Sequence, residues 1–261
     1  MGHCVILTYH VIDAPRFTDE SPYCCRPDDF RRQMDHIGEL GYEVVPLSQV
    51  VQALGGGPEL PRRSVAITFD DGTACTLETA APILAERRFP ATAFIVTHAI
   101  GGVAHWVQGG PGPRRMLTSD EVRALQGAGF TIGSHTASHA QLAGLPPPEL
   151  RRELVDSKAG LEDLLGEAVP YFAFPYGSVD RAARDAAAAA GYQAACSRRS
   201  GRNGPRADPF LLRRISMSGR ESALASAAKL RFGFEEATLP GLTRTAAKRA
   251  LQFAHLRDPY R

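Results

Sequence analysis

Cysteine is scarce and shows no paired spacing: Cys4, Cys24, Cys25, Cys75 and Cys196 are odd in number, without a Cys-x-x-Cys pair. That pattern excludes a disulfide-stapled scaffold and a cysteine zinc finger, and it suits reduced thiols in a reducing compartment. Adjacent Cys24 and Cys25 read as loop thiols. No run reaches the roughly twenty apolar residues that a membrane-spanning helix requires. The stretch from Met1 to Leu7 lacks the basic start and long apolar core of a signal peptide, so a cytoplasmic location is expected. Neither sign of charge dominates: 30 basic and 28 acidic residues, spread along the chain, leave a net charge of +2. Nucleic acid is therefore not an expected partner, and the arginines between Arg198 and Arg206 read as a solvated loop. Tryptophan occurs once, at Trp106, and no internal repeat is evident.

What is present is an ordinary globular composition, 44% hydrophobic and 22% charged over 261 residues, enough for one large α/β domain. Short β-branched runs recur at Val5 to Tyr9, Tyr42 to Val45, Val65 to Phe69, Ala91 to Val96, Phe130 to Gly133, Tyr171 to Phe174 and Tyr192 to Cys196. Helical patterns lie between them, which is the rhythm of βα units around a parallel sheet or barrel. Asp28 or Asp29 is the expected cap of a helix with Phe30, Met34, Ile37 and Leu40 on one face, ended by Gly41. Ser119 and Asp120 start a second helix that ends near Gly129, and Pro148 to Leu165 forms a third. Two long loops, Gly55 to Arg63 and Gly101 to Arg115, interrupt the rhythm. The second follows a strand and holds Trp106, so it is expected on the catalytic face of a barrel. Residues 1–217 are expected to form the catalytic domain, and 218–261 a basic, Ala-rich helical extension packed on it.

Two constellations carry chemistry. The strand Val65 to Phe69 runs into Asp70-Asp71-Gly72, which leaves adjacent carboxylates at a strand end. Burying both is costly without a cation; a divalent metal bound to one lowers that cost and leaves the other free as a base. The strand ending at Gly133 is followed by His135-Thr136-Ala137-Ser138-His139. On one helical turn these histidines share a face and can direct two imidazoles at one ion. Asp-Asp-Gly alone is a common turn, and two histidines four apart are common by chance. Together, at strand ends, they supply the mixed nitrogen and oxygen ligands suited to zinc, with cobalt or nickel as alternatives. Three protein ligands leave a position open, as a catalytic metal requires.

These motifs resemble those of the polysaccharide deacetylases, carbohydrate esterase family 4 with the NodB homology domain. Thr68-Phe69-Asp70-Asp71-Gly72 is similar to the family's first motif and His135 to His139 to its second, with the resemblance running from about Val5 to Ile215. It implies a distorted (β/α) barrel of about seven parallel strands. It also implies Asp70 as general base, Asp71, His135 and His139 as metal ligands, and the Tyr176 backbone N–H, in Ala173-Phe174-Pro175-Tyr176-Gly177, as oxyanion donor. Two departures stand out. The arginine that usually contacts the catalytic aspartate is replaced by Ala173, so the tuning of Asp70 is weaker or comes from elsewhere. No Leu-x-Leu-His motif follows Tyr192, and the late His255 reads as a surface residue. His10, at the end of the first strand, offers a substitute general acid, in a motif order similar to poly-N-acetylglucosamine deacetylases.

The function implied is metal-dependent removal of N-acetyl groups from an amino sugar or N-acetylated glycan. Pro175 and Trp106 are the expected substrate contacts, the indole through its apolar face. His98 and His105 read as structural or solvated. The alternatives are a small-molecule or lipid-linked-sugar amide hydrolase of the same fold, related in chemistry to deformylases, a non-catalytic glycan-binding module, and a structural zinc protein. A base, Asp70, beside the metal triad argues against the binding module, and the open fourth position argues against the structural zinc protein.

Overall fold

The computed structural model of the chain describes residues 2–107 and 112–234. Its elements follow in order: β1 (His3–Tyr9), α1 (Pro27–Glu39), β2 (Glu43–Val44), α2 (Leu47–Leu54), β3 (Arg63–Phe69), α3 (Ala81–Ala85) and β4 (Ala91–Ile95). Then come α4 (Ser119–Gly127), β5 (Thr131–Ser134), α5 (Pro147–Arg151), α6 (Ser157–Leu165), β6 (Tyr171–Ala173), α7 (Arg181–Ala189), β7 (Ala194–Cys196), β8 (Arg214–Ser216) and α8 (Ala223–Phe232).

All strand pairings are parallel, in the order β7-β6-β5-β4-β3-β1-β8, with β2 taking the early part of the β3 edge that β4 leaves free. A further parallel bridge joins Cys196 at the end of β7 to Leu212, just before β8, and nearly closes the ring. Each of the expected strand runs is present, trimmed by a few residues in several cases. The last strand, β8, is not among the expected runs: it is three residues long and opens on Arg214, next to Arg213, so no apolar run marks it.

Alternation along β1 and β3 sorts the interior into two layers. Val5, Leu7 and Tyr9, with Val65, Ile67 and Phe69, pack outward against the helices. Cys4, Ile6 and Ala66 point the other way and pack with Phe94, Ala173 and Leu212. Thr8 and Thr68 continue that inner row, with their hydroxyls 2.7 Å apart, and Asp70 follows at the carboxyl end of β3. The inner face thus turns from apolar to polar toward one end, and the site sits there.

Helix ends differ in detail from expectation. Helix α1 buries Phe30, Met34 and Ile37 as expected, but it starts at Pro27 with Arg26 as its cap residue, so neither Asp28 nor Asp29 caps it. Proline at the first position needs no N–H partner and presets φ, which makes it the stronger start signal. Helix α4 is capped by Thr118, in a reciprocal box with Glu121, rather than by Ser119 or Asp120. The expected third helix is interrupted between α5 and α6 by a wider π turn, Arg152–Asp156. Within the C-terminal extension, α8 lies against α1, and Lys229 Nζ donates to the Ser216 carbonyl. His255 and the rest of the expected extension beyond residue 234 lie outside the described residues.

Candidate active site

Asp70 and Asp71 leave β3 in a sharp turn. The Asp70 N–H donates to the Tyr9 carbonyl at 2.9 Å, which keeps β3 aligned with β1 to its end, while Asp71 and Gly72 take left-handed φ of 76° and 84°. This reversal sends the two adjacent carboxylates to different partners. A β-carbon on Gly72 would lie 2.9 Å from Ile95 Cδ1, so both the backbone angle and the close approach call for glycine here.

His135 and His139 do not sit on a helical turn. Thr136 and His139 have φ of 69° and 65°, which no right-handed helix contains, and the five residues His135 to His139 form an irregular loop after β5. The loop is pinned from both sides: His98 N–H donates to Ala137 O, and Glu153, on the π turn, accepts from the Ser138 N–H and hydroxyl. The Thr136 hydroxyl accepts from the His139 N–H at 2.8 Å. The two imidazoles converge all the same, because the reversal at Thr136 replaces the helical pitch.

Nε2 of His135 and Nε2 of His139 lie 3.5 and 3.3 Å from Asp71 Oδ1. The three ligand atoms fall within 4.8 Å of one another, and this is the one such cluster among the described residues. Each ring is oriented through its other nitrogen: His135 Nδ1 donates to the Ala173 carbonyl at 2.7 Å, and His139 Nδ1 is 3.0 Å from the Tyr176 hydroxyl. A carbonyl can only accept, so His135 presents a bare Nε2 to the cluster. Burial lowers the His135 pKa to about 4, which keeps the imidazole neutral as a ligand must be. Two imidazoles, one carboxylate and fixed outer partners fit a divalent cation of the zinc type.

Asp70 is 3% exposed and receives Arg214 in a two-pronged pair, Nη1 to Oδ1 at 2.6 Å and Nη2 to Oδ2 at 2.7 Å. Burial alone raises the Asp70 pKa; the charge and hydrogen bonds of Arg214, together with the nearby His135 and His10, outweigh it and hold the carboxyl well below the usual carboxylate range. Arg214 itself is fixed by the Ser197 carbonyl at 3.2 Å and by the Thr68 hydroxyl at 3.2 Å. Around these groups opens a cleft of about 240 Å³, lined among others by His10, Tyr23, Trp106, Tyr176, Arg198 and Arg214.

A sequence profile of the family described as polysaccharide deacetylase matches residues 57–195, more than half of the chain. The chain belongs to the polysaccharide deacetylase family. It is 26% identical over 190 residues to YxkH of Bacillus subtilis (strain 168), named as a polysaccharide deacetylase, covering 73% of this chain and 64% of that protein. Poly-beta-1,6-N-acetyl-D-glucosamine N-deacetylase of Escherichia coli (strain K12) is 31% identical over 87 residues, 33% of this chain and 13% of that one. The chain therefore spans less than two thirds of the length of these curated relatives. Among solved structures, IcaB from Ammonifex degensii shares the fold with a TM-score of 0.75 at 21% identity, covering 89% of this chain and 97% of that one. The barrel expected from the motifs is thus the fold of the family.

Asp70, Asp71, His135, His139, His10, Tyr176 and Trp106 all line the cleft. The His10 ring packs edge-on against Tyr23 with centroids 5.3 Å apart. Trp106 stacks on His139 at 4.1 Å, with ring planes 24° apart. Pro175 is buried and does not line the cleft; it starts the tight turn Pro175–Gly177, in which Tyr176 has φ of 57°. The expectation of a substrate contact at Pro175 is corrected, since a ring that presets a buried turn presents no surface. His98 and His105 are exposed and lie outside the cleft. Arg214 is the functional residue that sequence reading missed, although Ala173 leaves the tuning of Asp70 to another element. The available signal was the Arg213-Arg214 pair set between Leu212 and Ile215.

Proposed function

We propose that this deacetylase-family chain is a metal-dependent hydrolase that removes N-acetyl groups from an amino sugar or N-acetylated glycan, with zinc as the preferred metal. Asp71, His135 and His139 would hold the ion. The observation that carries the reading is the Arg214–Asp70 pair beside that triad. A carboxylate held ionised next to three metal-ligating atoms is what attack of water on an amide needs, and neither a structural metal site nor a glycan-binding module needs it.

When bound, the cation supplies Lewis acidity for the acyl oxygen and for the attacking water. Asp70 accepts the proton of that water, and Arg214 fixes which way its oxygens face. The Tyr176 N–H donates to the developing oxyanion from its left-handed turn. His10, reaching in from β1 on the far side of the ring from β6, gives a proton to the departing amine nitrogen. The exposed faces of Trp106 and Tyr176 suit the C–H side of a pyranose. The relative named as a poly-beta-1,6-N-acetyl-D-glucosamine N-deacetylase supports the sugar part of the reading.

The test is release of acetate or formate from two panels, N-acetylated oligosaccharides and small N-acyl amides, with metal-reconstituted and chelated protein. Metal-dependent acetate release from the sugars is expected. Turnover confined to the non-sugar amides would replace this reading with a small-amide hydrolase. His10→Ala should cut turnover by about 10²-fold or more and leave bound metal unchanged; full activity would remove His10 from the acid role.

A further inference from the structure

Two walls of the cleft come from segments far apart in sequence. The connection from β1 to α1 carries His10 and Tyr23, and it closes on itself where Val11 N–H donates to Tyr23 O and Cys25 N–H to Val11 O. The connection from β4 to α4 carries Trp106, and its described segments pair antiparallel where Val103 meets Arg115.

One side chain joins the two. Arg114 is 5% exposed, and its guanidinium is spent entirely on the β1–α1 connection. Nε and Nη2 donate to the two Glu20 oxygens at 2.5 and 3.0 Å, Nη1 to Asp13 Oδ2 at 2.7 Å, and Nη2 to the Ala14 carbonyl at 2.7 Å. Glu20, itself 6% exposed, also accepts from the Arg16 N–H at 2.7 Å. The Arg114 main chain works in the other direction, its carbonyl accepting from the Ala104 N–H at 3.0 Å, two residues before Trp106. A buried arginine with two acidic partners is poor economy for packing alone, because apolar residues of the same volume fill such a space at least as well. What it adds is geometry: a planar fork with all three nitrogens engaged favours one arrangement of the two segments.

We infer that Arg114, through Glu20 and Asp13, is a positioning residue that clamps the β1–α1 connection to the β4–α4 connection and holds Trp106 over His139. His10, Asp70 and His135 stand at or next to strand ends and are placed by the barrel, and His139 by the pinned loop that follows β5. Trp106 has no strand beneath it and depends on the clamp. The catalytic consequence rests on the proposed deacetylase reading; the placement of Trp106 does not.

Because Trp106 is the only tryptophan in the chain, its emission reports its position directly. The variants are Arg114→Met, Arg114→Lys and Glu20→Gln, with Arg115→Gln as the neighbouring control, since Arg115 pairs outward with Glu78 and Glu121. In the metal-free protein, Arg114→Met and Glu20→Gln should red-shift the emission and raise acrylamide quenching about twofold, with melting still cooperative. On an N-acetylated oligosaccharide KM should rise about tenfold while kcat changes less than about threefold. Arg114→Lys should fall between, because a single ammonium cannot meet both acids in one plane. Arg115→Gln should match wild type. Wild-type emission and quenching in a folded Glu20→Gln variant would overturn the clamp, and a shifted emission with unchanged KM would overturn its catalytic consequence. If Arg114→Met does not fold, Glu20→Gln, which keeps shape and removes one charge, decides on the same readouts. If wild type turns over no glycan, the proposed function fails while the fluorescence still decides the clamp.

Discussion

Arg214 meets Asp70 in a two-pronged pair of 2.6 and 2.7 Å, across 144 residues of sequence, and does so from the strand beside β1 rather than from the Ala173 position on β6. The guanidinium reaches the base from a different wall of the barrel than the family resemblance leads one to search. Arg214→Met should lower kcat by about 10²-fold or more, since Asp70 loses both its orientation and the positive charge that favours its ionised form. It should also lower stability by about 3–5 kcal/mol, because a buried carboxylate is left without its partner. Arg214→Lys should recover part of the stability and little of the activity. Acetate-release kinetics and urea unfolding on the three proteins check both halves.

Asp71→Asn separates ligation from folding. Asparagine tolerates the left-handed backbone that Asp71 adopts at φ of 76°, so the turn should survive. Metal content after dialysis should fall to near background while the thermal melt of the metal-free protein stays within a few degrees of wild type. Retained stoichiometric metal would show that the ligand set is different.

Tyr176→Phe removes the hydroxyl that faces His139 Nδ1 at 3.0 Å and keeps the backbone N–H in place. Loss of an outer partner of this kind weakens metal affinity by about 10- to 100-fold. Chelator competition measures it without any substrate. Unchanged affinity would mean that stacking under Trp106 orients the His139 ring unaided.

Gly72→Ala should destabilise the protein by about 1–3 kcal/mol, from the left-handed φ together with the approach to Ile95. Urea unfolding gives the value. The loss should exceed that of Gly160→Ala, where a β-carbon meets nothing within 4 Å.

The cluster around Arg114 sets a pH dependence of stability. Burial raises the pKa of Glu20 and of Asp13, but hydrogen bonds and charge from Arg114 outweigh it, and both lie below their ordinary values of 4.5 and 3.8. A lowered folded pKa stabilises fully above the ordinary value and is lost as pH falls through the folded one. The stability difference between wild type and Glu20→Gln should therefore be constant above about pH 5 and shrink toward pH 3. Unfolding series at several pH values would show it, and a gap that widened in acid would contradict the assignment.

Much of the barrel and the core of the site could be read from local sequence. Val65 to Phe69 is buried on both faces and ends in two carboxylates, and such a pattern needs no knowledge of distant residues. Asp71, His135 and His139 were legible for the same reason: each follows a strand, and strand ends of one parallel sheet gather on one side. The helical turn expected for His135 to His139 was wrong because spacing alone cannot distinguish a helix from a loop with left-handed Thr136 and His139. Pro175 was misjudged because a motif position does not say whether the ring faces the cleft or the core. Arg214 and the Arg114–Glu20 clamp were not legible, because 144 and 94 residues separate the partners and only the closed ring brings them together.

The closure of that ring bears on how the protein reaches its folded form. β8 joins β1 at the Ile6–Arg214 register, so the guanidinium arrives only when the last strand of the barrel is laid beside the first. Until then the carboxylate of Asp70 lacks its arginine partner, and burying it unpaired is costly. Asp70 is therefore fully paired only in the completed barrel, so catalytic competence is expected of the whole barrel and not of a fragment that lacks its last strand.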